Sequence, residues 1–141
     1  MHLGVSEVRV VNRNHARAER LVRELEASVD LDVRACQAQE AFAESALVLQ
    51  ASAAGMGWRD DSESWRDCVS KASLALRHVA PSAVLFDLVY RPSITPWMVA
   101  ARNAGLESEG GLGMLVAQAA AAFSLWTGAA PPLDEMLAGL C

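Results

Sequence analysis

Lysine is almost missing from this chain. Lys71 is the only one, so arginine carries nearly all of the positive charge. A mechanism that needs a tuned lysine therefore has one candidate, and Lys71 falls in a stretch that reads as surface. Cys36, Cys68 and Cys141 share no metal-type spacing, and their odd number argues against a disulfide framework. They read as small, mostly buried hydrophobes. His2, His15 and His78 are equally scattered and form no HExxH cluster, so no metal site is expected. A Ser/His/Asp order and an activated Cys–His pair are both missing. No apolar run is long enough to span a bilayer. No basic-then-apolar leader is visible either, which predicts a cytoplasmic protein away from membranes. The net charge of −5 and pI near 5.1 make nucleic acid an unexpected partner. What is left is a 141-residue chain, 52% hydrophobic and 21% charged. That is enough for one domain, residues 1–141, with a core of its own.

The chain alternates strand and helix signals. Glu7 to Asn12 is a short Val-rich run that reads as a buried strand. Asn14 is a good N-cap, and Ala18, Leu21, Val22 and Leu25 follow as one apolar helix face. Leu31 to Ala35 and Ala46 to Ala51 predict two more strands, with a short helix at Gln39 to Ser45 between them. From Arg59 to Glu63 the acidic chain reads as a surface loop, and Ser64 to Arg77 as a helix. Ala83 to Tyr90 is the best strand of the sequence. Thr95 is an N-cap for a helix from Trp97 to about Ala104, which Gly105 ends. A closing helix runs from Asp134 to Leu140, after Pro131 and Pro132. Such alternation indicates an α/β domain with a mostly parallel sheet.

Two places ask for a ligand. Arg13 and Arg17 flank the start of the first helix, where the macrodipole disfavours a cation by roughly 0.3–1 kcal/mol. Two guanidinium groups with the free N–H groups of a helix start could hold an anion together. The plain alternative is a pair of solvated arginines offset by Glu19 and Glu24. In a dinucleotide-binding unit the end of the second strand faces the adenine ribose, with an acid for NAD or an arginine for the 2′-phosphate of NADP. Here that place carries Asn12 and Arg13, and no acid.

The second place is the glycine-led helix from Gly111 through four alanines to Trp126. It is apolar on every side, which predicts burial. Gln118 lies on its apolar stripe with Met114, Ala121 and Leu125. A buried amide without a partner costs roughly 1–3 kcal/mol, so Gln118 calls for a protein or ligand partner. Asp87, inside the strongest strand, is read as structurally paired. No GxGxxG loop precedes the first strand, so a complete pyrophosphate site is not visible.

The motifs then resemble a known family. Asn12-Arg13-Asn14-His15-Ala16-Arg17-Ala18 is similar to the NRTxx(R/K)A segment of shikimate dehydrogenases. Gln50-Ala51-Ser52-Ala53-Ala54-Gly55-Met56 resembles their NATSxGM. Asp87-Leu88-Val89-Tyr90-Arg91-Pro92 through Thr95-Pro96 resembles DLVYxPxxTP. Gly111 to Gly128 resembles the closing GxxMLVxQAAxxFxxWTG. Four motifs in order cover nearly the whole chain.

The resemblance implies the C-terminal NADP-binding domain of an enzyme that reduces 3-dehydroshikimate to shikimate in aromatic amino-acid biosynthesis. The implied fold is an incomplete Rossmann-like, doubly wound, mostly parallel sheet with helices on both faces, lacking the first strand and glycine-rich loop. By the same resemblance Asn12, Arg13, Asn14 and Arg17 hold the adenosine 2′-phosphate. Leu88 and Gly111 lie against the nicotinamide, and Ser52 and Ala53 line the cofactor crevice. Tyr90 and Gln118 reach the substrate, shikimate or the related quinate. The family's catalytic lysine and aspartate belong to an N-terminal substrate domain absent from this sequence, so no catalytic residue is assigned here. The alternative is a non-catalytic, truncated paralogue that binds or scaffolds, with a homodimer formed through an open sheet edge.

Overall fold

Val8 and Val10, alternating with Glu7 and Arg9, make β1 (Glu7–Val10), which leads into α1 (His15–Glu26), β2 (Asp32–Ala35) and α2 (Ala38–Phe42). The computed structural model describes residues 4–57 and 62–140. It forms two compact units, one reaching from the N-terminus to Ser45 with His78–Ala80, the other containing Ala46–Arg77 and Pro81 onward.

In the first unit β1 and β2 run parallel, with Glu7 opposite Asp32 and Val10 opposite Ala35. Cys36 N donates to Val10 O at 3.0 Å and extends the ladder by one step. The apolar face of α1 buries Ala18 and Val22, while Leu21 is 43% exposed. Glu7 and Arg9 lock the unit electrostatically. Arg9 Nε and Nη2 donate to the Glu7 carboxylate at 2.9 and 2.8 Å. Arg9 Nη1 also reaches Ala43 O at 2.5 Å, just beyond α2. Arg34 Nη2 pairs with Oε1 of the same carboxylate, the oxygen that also accepts from Arg9 Nε. The Arg9 hydrogen bonds, helped by Arg34, hold the Glu7 carboxyl down at about 2.

The second unit contains β3 (Leu47–Gln50), α3 (Glu63–Ala75), β4 (Val84–Asp87), α4 (Pro96–Asn103), β5 (Glu107–Gly110), α5 (Leu112–Thr127) and α6 (Leu133–Ala138). Its sheet has the order β3-β4-β5, all parallel, with Leu47, Val84 and Glu107 in one register row and Gln50, Asp87 and Gly110 in another. Helices α3 and α4 pack on each other, and α4 lies on β4 and β5. The core there is Leu85, Ala72, Ala101, Trp65 and Met98. Ser62 caps α3 by accepting from Trp65 N at 3.1 Å. On the opposite side of the pleat Leu47 and Leu49 remain 58% and 55% exposed. In a doubly wound sheet the second and third strands are neighbours, as are the fourth, fifth and sixth. The pairings of β1 with β2 and of β3 through β5 follow those two series.

The departures from the sequence reading are local. Strand β5 is new: Glu107-Ser108-Glu109-Gly110 has no apolar alternation, and it is pairing with β4 that makes it a strand. Strand β4 stops at Asp87, so Leu88, Val89 and Tyr90 belong to a loop. Glu63 opens α3 instead of closing a loop, and the rest of the acidic stretch, residues 59–61, lies outside the described residues. Cys36 and Cys68 are buried as expected, and Cys141 lies outside the described residues.

The largest correction concerns α5. Only Val116 of that helix is buried, and Gln118 is exposed. Hydropathy predicts burial only where a neighbouring surface exists to supply it. Here the helix makes its main helix–helix contact with the short α6. The amide of Gln118 is therefore open to water and needs no protein partner. No helix among the described residues is long and apolar enough to cross a membrane.

Candidate functional site

The residues singled out in the sequence fall into two groups, one in each unit. In the first unit Asn12, Arg13, Asn14 and Arg17, all exposed, together line an open surface hollow of about 380 Å³ at the start of α1. Asn14 sits at the N-cap, but its side chain makes no capping bond. Its backbone N–H instead donates to Asn12 Oδ1 at 2.9 Å, an Asx turn that fixes the entry to the helix. No acidic residue occupies the first turn of α1. Neither Arg13 nor Arg17 pairs with a carboxylate among the described residues, and both are exposed. Two guanidinium groups, two amides and a helix N-terminus are donors of the kind that bind anions such as a phosphate monoester.

In the second unit the loops that follow β3, β4 and β5 are bonded to one another at the carboxyl ends of the strands. That is where ligands bind in open α/β sheets. After β3, Gln50 and Ser52 exchange hydrogen bonds. Gln50 Nε2 donates to Ser52 Oγ at 2.9 Å, and Ser52 N donates to Gln50 Oε1 at 3.0 Å. This i, i+2 polar pair ties the last residue of β3 to the loop that follows it. Gly55 takes φ +90° against Pro96, where a Cβ would come within 2.7 Å of the ring Cδ. Gly57 N donates to Arg91 O at 3.0 Å, joining this loop to the next.

The loop after β4 starts and ends on a buried pair. Thr95 Oγ1 donates to Asp87 Oδ2 at 2.6 Å, and Val89 N donates to Asp87 Oδ1 at 3.0 Å. Thr95 Oγ1 also accepts from Met98 N at 3.2 Å, capping α4 as predicted. Asp87 and Thr95 are both fully buried. Burial pushes the Asp87 carboxyl above the ordinary carboxylate range, against the pull of the Thr95 and Val89 hydrogen bonds. Between the two residues Leu88 is half-buried and Tyr90 is 40% exposed.

Gly111 closes the junction. Its N–H donates to Val89 O at 3.3 Å. A Cβ there would fall within 2.7 Å of Leu88 C and still closer to Leu88 O, so only glycine lets the start of α5 approach that backbone. Leu88 and Gly111 are thus in direct contact. Ser52 and Ala53 lie on the β3 loop, both exposed. Gln118 stands two turns along α5, away from any bonded partner in this junction. Lys71, the sole lysine, pairs with Asp67 at 2.7 Å on the exposed side of α3. No group of metal-ligating side chains exists among the described residues.

A family profile for the shikimate 5'-dehydrogenase C-terminal domain matches residues 111–139, from the Gly111 contact through α6. The NADP(+) shikimate dehydrogenase of Verminephrobacter eiseniae is 34% identical over 143 residues, covering 99% of this chain and 46% of that protein. The chain is related to the C-terminal part of shikimate dehydrogenases. It spans about half the length of the curated relatives it matches. The shikimate 5-dehydrogenase of Listeria monocytogenes, solved with shikimate and NAD, covers 98% of this chain and is itself covered to 48%. It superposes with a TM-score of 0.76 at 25% identity. The Thermus thermophilus shikimate dehydrogenase, solved with NADP(H) and shikimate, matches 94% of this chain and 44% of its own, with a TM-score of 0.69 at 29% identity. The fold is thus the Rossmann-like α/β fold of shikimate dehydrogenases.

Proposed function

We propose that this chain is the NADP-binding part of a cytoplasmic shikimate dehydrogenase, an oxidoreductase that interconverts 3-dehydroshikimate and shikimate. The observation that carries this reading is the Asn12–Arg17 hollow, with two guanidinium groups that pair with no carboxylate among the described residues and no acid in the first turn of the helix. A ribose 2′-phosphate is the group that such a donor set selects, and an acid in that place would select NAD. NADPH supplies the hydride in this chemistry. The residues of this chain bind and orient: Asn12, Arg13, Asn14 and Arg17 hold the 2′-phosphate, and Ser52 and Ala53 line the crevice. Leu88 and Gly111 present bare backbone to the nicotinamide end, and Tyr90 and Gln118 offer a hydroxyl and an amide to the substrate.

Proton transfer needs a group that the residues named above do not supply. Lys71 is the only lysine, and it is held by Asp67 on a solvated helix face. The 141 residues by themselves are accordingly expected to bind cofactor without turnover. Arg13→Asp tests the assignment. It should weaken NADPH binding by at least about 10-fold, the value of one lost charge-assisted hydrogen bond. NADH binding should stay nearly unchanged, as titration calorimetry would read it. Equal losses for the two cofactors would refute the assignment.

A second, non-catalytic reading is favoured by the exposed Leu47 and Leu49 on β3, a strand paired on one edge only. An unpaired edge with an apolar face is a template for another chain, and a second copy would extend the sheet as a homodimer. Light scattering decides it: a dimer that Leu49→Lys dissociates supports this reading, and a clean monomer removes it.

A further inference from the structure

The hydrogen bonds of the β4 loop form one continuous series. Met98 N donates to Thr95 Oγ1, Thr95 Oγ1 donates to Asp87 Oδ2, and Val89 N donates to Asp87 Oδ1. From Val89 the series goes on, since its carbonyl accepts from Gly111 N. The base of the loop that carries Tyr90 is therefore closed by two side chains eight positions apart. Both are shut off from water. Helix capping alone does not account for this. Ser62 caps α3 by accepting from Trp65 N in the same way that Thr95 accepts from Met98 N, and no carboxylate among the described residues bonds its hydroxyl. Burying an acid is unfavourable unless its hydrogen bonds are made, and here both oxygens are used. One oxygen fixes the first turn of the loop and the other fixes its last residue.

We propose that Thr95, acting through Asp87, is the positioning residue that sets the place of Tyr90. Its importance for substrate rests on the reading of Tyr90 given above. Thr95 touches no substrate in this scheme. It determines whether the loop offers Tyr90 in one position or in many.

Tyr90 is the only tyrosine of the chain, so selective tyrosine labelling of the full 141-residue protein gives a single backbone amide signal to follow by NMR. Thr95→Ser keeps the hydroxyl and should leave that signal, and its response to added shikimate, as in the unaltered chain. Thr95→Val keeps the volume and removes the hydroxyl. It should shift or broaden the Tyr90 signal and speed its amide exchange by at least about tenfold, with helix content by circular dichroism retained. A Thr95→Val chain whose Tyr90 signal and exchange match the unaltered protein would overturn the proposal. So would a Thr95→Ser chain disturbed as much as Thr95→Val. If Thr95→Val does not fold, amide exchange in the unaltered chain decides. The Val89 and Met98 amides, both donors into the pair, should exchange at least about tenfold more slowly than that of Tyr90, and equal rates would overturn the proposal. A Tyr90 signal that ignores shikimate in the unaltered chain but still loosens in Thr95→Val supports the positioning role and counts against the substrate reading instead.

Discussion

Arg13 and Arg17 stand exposed at the start of α1 without a carboxylate partner among the described residues, whereas Asp87 and Thr95 are fully buried and bonded to each other. The first pair contributes charge on long, exposed side chains. The second contributes no free charge to solvent and fixes backbone. The contrast separates two ways of placing polar groups. Ionic attraction acts over several ångströms, so the phosphate contact proposed above tolerates adaptable arms. The proposed placing of the Tyr90 hydroxyl against substrate depends instead on a rigid base.

The largest expected break in that comparison comes from Gly111→Ala. The added methyl would enter the Leu88 backbone, which is itself tied to Gln50 O through Leu88 N at 3.0 Å. Relief demands a shift of the start of α5 or of the β4 loop. A loss of about 2–3 kcal/mol in urea unfolding is expected, the usual scale for overpacking against a fixed neighbour. A loss under about 0.5 kcal/mol would mean that the junction is soft and the contrast misdrawn.

Acid titration should set the two units against each other. The Asp87 carboxyl is raised by burial, so its contribution to stability is fully present below the ordinary carboxylate value and is lost as pH rises through its raised value. Glu7 is held down at about 2, chiefly by Arg9, so its contribution is present above the ordinary value and is lost as pH falls toward about 2. Urea unfolding measured from about pH 3 to about pH 7 on Glu7→Gln and Asp87→Asn separates them. Glu7→Gln should remove part of the acid-side loss, and Asp87→Asn should remove an opposing slope. Slopes of the same sign for both carboxyls would contradict the assignment.

The smallest expected effect belongs to the arginines. Arg13→Asp, which should discriminate so strongly between cofactors, is expected to change the unfolding free energy by less than about 0.5 kcal/mol, because the side chain is exposed and has no partner among the described residues. A larger change would show that Arg13 supports the fold and that the lost cofactor binding is indirect.

What was legible in the sequence was whatever local chemistry decides. The Thr95 cap, the glycine that ends α4 and the Val-rich β1 follow from neighbours in the chain. So does the crowding of Asn12, Arg13, Asn14 and Arg17 around one helix start. Strand β5 was not legible, because Glu-Ser-Glu-Gly carries no strand signal until β4 lies beside it. The Asp87–Thr95 bond joins two residues that could be read only separately, one as a paired acid and one as a cap. Gln118 misled for a related reason: a helical wheel shows which residues share a face, and not whether anything covers that face.

The uncovered face has a thermodynamic side. From Leu112 to Thr127 helix α5 contains no charged residue, and folding withdraws only Val116 fully from water. An apolar residue that stays wet adds neither transfer free energy nor heat-capacity change to folding. The most hydrophobic segment of the chain, with Leu112, Met114, Leu115 and Phe123 half-buried and Leu125 and Trp126 exposed, thus contributes less to stability than its composition suggests. Fully buried packing is found instead where α3 and α4 meet around Leu85 and Ala72. Seen this way, α5 is surface that happens to be written in core residues.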